Sequence, residues 1–338
     1  MMLILACTLL VLLLILPFVP GTRELIKRRD AAPLYINIDY HKDPRYFAVS
    51  CKKLFLGSLK TPITVGEVRD VMLSKEEKVQ IVGTVHVPAG SVIENILYVV
   101  QHLESETNVS FEKEIYVRGT ARIGENNRLQ ALACDGDIHL MKGTKFFRWL
   151  DAEGSITVEG PCALGVGATC SGMLSLTRQC TFMKLYGFPV SVNVDPALLR
   201  EDDTLGGESV IASGSLPLRD CSAIPASSRL NCDIISSKSM TIGEHAVIQG
   251  HIKTHGNLAI GAHVTIVGNI FAEGNIEIGL QSHVMGTIFS QARVLLKQGV
   301  RVGAKNRIKS VIGKKSVALE DNVIVYGFIM TEGMGVVV

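Results

Sequence analysis

Little in this chain invites a catalytic reading. Its 338 residues hold no glycine-rich nucleotide loop, no GxSxG elbow and no HExxH pair, which removes the motif-borne routes to phosphoryl transfer, serine hydrolysis and zinc hydrolysis. Eight cysteines, at positions 7, 51, 134, 162, 170, 180, 221 and 232, show no CxxC spacing. Free cytosolic thiols are expected instead of a zinc site. The net charge of +2 is too balanced for a nucleic-acid binder. Aromatic residues make up 6% of the chain and hydrophobic residues 47%, so any core is built from aliphatic side chains. No catalytic residue, cofactor or metal site is assigned from sequence.

The first nineteen residues, Met1 to Val19, carry no charge. As a helix they would extend about 28 Å, close to one hydrocarbon core. A cleaved signal peptide is the competing reading, but no Lys or Arg precedes the apolar run and no Ala-x-Ala site follows it. Arg23, Lys27, Arg28 and Arg29 come directly after. Positive charge on that flank predicts a single-pass anchor over residues 1–20 in the inner, cytoplasmic membrane, with the C-terminal bulk in the cytoplasm. Residues 21–76 then form a basic juxtamembrane linker. Within it, Phe47, Leu54, Phe55 and Leu59 alternate with Lys52, Lys53 and Lys60, which suits either an anionic leaflet or a short helix docked on the core.

What the chain has in abundance is repetition. Gly243, Gly261 and Gly279 are eighteen residues apart, as are Ile242, Ile260 and Ile278, Gly250, Gly268 and Gly286, and Ile252, Ile270 and Ile288. Each eighteen divides into three sixes, and each six brings an apolar pair at i and i+2. Side chains alternate across a strand, so such a pair faces one side and the rest of the six must turn a corner. Glycine gives the corners backbone freedom. Three short strands and three corners per coil predict an all-β fold: a three-sided parallel β-helix, a solenoid of about 18 residues per coil stacked at about 4.8 Å. The helical alternative lacks the 3.6-residue period it needs.

The same spacing recurs upstream in Gly136, Gly154 and Gly172 and in Ile138, Ile156 and Leu174. The predicted organisation is a first β-helical block at 77–190, a polar interruption at 191–213 and a second block at 214–338. Residues 100–113 are expected to form an outgrowth. Val317, Val325 and Ile329 lie seventy-seven residues after Met240, Ile248 and Ile252, four periods plus five, which places a five-residue slip between 297 and 316.

Two features could carry function. His245 and His263 fall one coil apart on the same corner, with Gln281 next. Stacked imidazoles can share a metal or move protons, but no carboxylate or cysteine shares their column, and decoration of an exposed turn is the plainer reading. The hexads Ile242–Val247 and Ile260–Thr265 also fit a hexapeptide-repeat acyltransferase with a trimeric β-helix, although other sides of the coil do not keep that phase. The second feature is the C-terminal edge. Phe328, Ile329, Val336 and Val337 show no polar cap, so a sticky, polymerising edge is expected there, with a fold-back cap as the alternative.

The run from Met240 to Ile252, repeated at Leu258–Ile270 and Ile276–Ile288, resembles the core of the bactofilins over about residues 222–300. That resemblance implies a cytoskeletal scaffold whose β-helices polymerise end to end without nucleotide, often at a membrane. It implies the chain itself, membrane lipids and cell-envelope proteins as partners, and no nucleic acid. The additional repeat block, the interruption and the apolar N-terminus depart from the family pattern.

Overall fold

An apolar pair every six residues is buried only if the backbone bends after each pair, and this chain does so throughout. The computed structural model describes residue 16 and residues 44–58, 69–72, 78–194, 217–305 and 307–338. Apart from helix α1, Tyr46–Ser58, the described elements are strands. They form a parallel β-solenoid of about 13 turns with about 18 residues per turn. Apart from residue 16, the expected membrane span at 1–20 lies outside the described residues, as do the basic residues Arg23, Lys27, Arg28 and Arg29. Among those described, no helix is long and apolar enough to cross a membrane.

In the second block, three columns of strands pair in register with the sequence repeat. Met240 pairs with Leu258, Leu258 with Ile276 and Ile276 with Val294 on one face. Ile248, Ile266, Val284 and Val302 line the next, and Ile252, Ile270 and Ile288 the third. All of these side chains point inward and are buried. The five-residue slip is confined to a short stretch. Val284 still pairs with Val302, eighteen residues on, whereas Ile288 pairs with Val311, twenty-three on. The extra residues therefore bulge between Val302 and Lys309.

The first block is wound the same way, with Leu97, Ile115, Leu132 and Leu150 stacked in one column. The outgrowth expected at 100–113 is absent. Leu103–Ser105 pairs with Val85–Val87 and with Ala121–Ile123, and Ser110 and Phe111 pair with Val92 and Ile93. The periodicity is obscured there because Gln101 takes the corner at which the next coil has Gly119. A Cβ on Gly119 would stand 1.8 Å from the Gln101 carbonyl oxygen.

That contact also corrects the role given to the repeat glycines. Gly250, Gly268 and Gly286 have no positive φ. Each instead lies against the coil beneath, and a Cβ on Gly268 would sit 2.1 Å from the Gly250 oxygen. The left-handed corner is a different one and admits several residue types: Ser227, His245, His263, Gln281, Gly299 and Asn322 all have φ between 51° and 75°. At Gly250, Gly268 and Gly286 glycine is selected for close approach, not for freedom.

The two blocks meet at their C-terminal ends. The strand that closes the first, Thr181–Val192, runs antiparallel to the strand that closes the second, Ile324–Val337. Each winds through all three faces, so the pairs Thr181 with Val336, Leu185 with Ile329 and Val190 with Val325 zip the coils together on every side. One apolar cluster runs unbroken from Val87 to Val337 across this junction.

Candidate functional site

A solenoid has its work to offer at its edges and on its outer faces, because its interior is filled. The C-terminal edge expected to polymerise is not free. Ile329 and Val337 are fully buried, Phe328 pairs with Tyr186, and Val336 pairs with Thr181. The edge is adhesive, as its sequence suggests, but the first block occupies it. Around its rim Arg178 binds Asp321 through Nε at 3.0 Å and through a second guanidinium nitrogen, and Asn193 donates to the same carboxylate at 2.7 Å. The Arg178 guanidinium, with help from Asn193, holds the Asp321 carboxyl below the usual carboxylate range.

The opposite end of the second block has no such cover among the described residues. Leu218–Arg219, Ala223–Ile224 and Arg229–Leu230 pair only with the next coil. The carbonyls of Ser222 and Ile224 accept from Thr241 and Gly243, so the N–H and C=O of Ala223 between them point the other way, to the bare edge. Arg229, between the bonded Ser228 and Leu230 carbonyls, is placed alike. Two of the inward side chains are partly uncovered too, Leu230 and Leu218, the latter 37% exposed where its neighbour in the column, Ile234, is at 0%; Ile224 is buried. At the outer end of the first block, Arg69–Met72 lies antiparallel on Lys78–Val82 and covers one face. Val85 and Ile93 on the other two are only partly buried.

Helix α1 is the other distinctive part. It lies on one outer face of the first block, not at a distance from it. Phe47 stacks on Trp149 at 6.0 Å, and Ala48 joins a second apolar cluster with Ile81, Tyr98, Tyr116 and Ala133. Arg45 grips the buried Asp151 through Nε at 3.0 Å and a terminal nitrogen at 2.5 Å, and reaches Ser171 at 2.6 Å. Thr169 donates to the same carboxylate at 2.5 Å. Burial pushes the Asp151 carboxyl up, against the pull of Arg45 and Thr169. Lys52 bridges Asp135 and Glu153 at 2.9 and 3.1 Å. Of the two roles open to this basic stretch, the structure shows docking on the core.

Removing one member of a buried ion pair leaves the other charge uncompensated, at a cost of about 3–5 kcal/mol. Arg45→Ala is therefore expected to release α1. Trp149, the single tryptophan of the chain, reports it directly: its emission should shift to longer wavelength. Adding Asp151→Asn should recover part of the shift.

The histidine column is arranged as the sequence suggests. His245 and His263 stack at 4.9 Å with rings 2° from parallel, both on exposed corners. Parallel rings aim their nitrogen lone pairs sideways, not at one another, and among the described residues no group of three His, Cys, Asp or Glu could hold a metal. Cys134, Cys162 and Cys170 are buried free thiols whose burial pushes each up to about 12, which keeps them protonated and unreactive. No protein-family model matches the chain, and neither does any curated protein or solved structure.

Proposed function

We propose that this protein is a membrane-anchored, bactofilin-like scaffold, not an enzyme, and that it self-assembles end to end through the rim at residues 218–230, whose three strands pair with no described strand outside the next coil. The observation that carries the reading is that rim: three strand edges that no other described strand pairs, with Leu218 and Leu230 half-open beside the buried Ile224. Unpaired edges recruit another edge. The junction within the chain supplies a precedent, since it joins two like ends by antiparallel pairing on all three faces. Two copies would meet rim to rim in the same manner, and longer assemblies would also use the outer end of the first block at Val85 and Ile93. The apolar N-terminus would concentrate subunits on the membrane and favour such contacts.

Proline at Ala223 or Arg229 removes a donor from the bare edge and leaves the bonds to the next coil intact. Either substitution is expected to abolish assembly of the full chain, seen by electron microscopy and sedimentation, with an unchanged melting temperature. A monodisperse monomer in the parent protein at every concentration and salt would sink the proposal. A discrete trimer with acyl transfer lost on His245 or His263 replacement would favour the hexapeptide acyltransferase instead.

A further inference from the structure

The face that carries α1 does not end at the junction. Its outward column runs from Trp149 over Gly167 to Lys184, crosses to Met330, and continues through Ile312, Phe289, Phe271 and Lys253 to Ile235. In the second block, Phe271 and Phe289 stack at 5.5 Å and 5°, and with Ile235, Ile312 and Met330 they stand partly exposed on the outside of the sheet. No described element covers them. Other outward columns differ in kind, with Thr241, Ala259 and Glu277 on one and Arg229, Val247 and Thr265 on another.

We propose that this apolar column is the docking surface for an acidic amphipathic helix of a partner protein. Continuity with an interface already formed is the first reason. One junction away, the same face of the same sheet receives a helix, with Phe47 seated on Trp149 in this column and Ala48 and Arg45 on the adjoining column of Tyr116 and Asp151. Size agrees: five coil steps from Ile235 to Met330 span about 24 Å, and α1, with 13 residues, is about 20 Å long.

Charge selects the partner. In the first block, carboxylates at Asp135, Asp151 and Glu153 hold a basic helix. In the second, Lys309, Lys314 and Lys315 flank the column's Ile312 end. Of the carboxylates nearby, Asp233 accepts the His251 N–H and Glu273 pairs with His255, while Glu332 lies at the junction end. A second copy of this face would set lysines against lysines, and so would a second α1 with its Lys52 and Lys53. The surface fits the reversed charge pattern. This inference stands whether or not the rims assemble.

The probe is a fluorescent peptide of residues 44–58 carrying R45E, K52E and K53E, titrated by anisotropy against the full chain in detergent. It should bind at least tenfold more tightly than the unaltered peptide, and 0.5 M salt should weaken it. Phe271→Ser with Phe289→Ser should weaken it tenfold or more. If that double variant melts early, Lys314→Glu with Lys315→Glu is expected to give the same loss. Absence of binding, or binding that none of these changes moves, overturns the proposal. Phe-dependent capture on phosphatidylserine vesicles without peptide binding would make this a membrane face, and Phe-dependent dimerisation would make it a self-contact; either overturns it.

Discussion

Ile329→Asp is expected to split the molecule's unfolding into two transitions. Ile329 is fully buried opposite Leu185, the centre of the antiparallel seam between the blocks. The substitution forfeits the burial of a large aliphatic side chain, about 1.5–3 kcal/mol. It also places a carboxyl where no cation stands, which costs several kcal/mol more whether the group ionises or takes up a proton. The seam can escape that cost by opening, and each block retains its own coils when it does. Calorimetry should show one cooperative melt in the parent protein and two lower ones in the variant. Amide exchange should accelerate at both 181–192 and 324–337, because neither closing strand keeps its partner. Ile329→Leu, which conserves volume, should behave like the parent. A single unshifted melt for the aspartate variant would mean that the seam contributes nothing to stability.

Gly268→Ala should be nearly as damaging, although it adds only one methyl group at a corner. The added Cβ meets the Gly250 oxygen at 2.1 Å and its carbonyl carbon at 2.4 Å, and both are backbone atoms of a coil locked in register above and below. A flexible side chain could swing away; a stacked main chain can only separate. Lifting one coil breaks parallel pairing on three faces, so a loss of more than about 3 kcal/mol is expected, in the range of severe core defects. Gly90→Ala provides the contrast. Gly90 has open space around its Cβ position but φ of +72°, and the penalty for an L-residue there is about 1–2 kcal/mol. Urea melts of the pair rank the two effects. If Gly90→Ala proves the worse, crowding between coils is not what selects glycine in this repeat.

The coil was legible in the sequence because its physics is local and recurrent. Ile242, Ile260 and Ile278 must face inward for the same reason, and their spacing displays it. The slip before Lys309 was legible too, since the columns resume afterwards at Val317 and Val325. The seam was not. Phe328, Ile329, Val336 and Val337 reveal an edge that needs a partner, but nothing in their order says that the partner is Thr181–Val192, about 140 residues earlier. Antiparallel pairing between coils leaves no periodic mark. The left-handed corner also escaped notice, for a different reason: any residue that tolerates αL serves there, and Asn108, Asn126 and Asn322 are scattered among Ser, His and Gln. Docking of α1 was half legible. Phe47 and Lys52 announce an amphipathic segment, whereas Asp151, the buried carboxylate that fixes it, looks like any other strand residue.

Because the blocks abut at the ends where their chains finish, both outward rims of residues 78–337 are ends where a chain begins. A row of such subunits, joined like rim to like rim, would read the same from left and right. It would possess no leading or trailing tip, could lengthen equally at either extremity, and would offer nothing by which a passenger could tell one heading from the other.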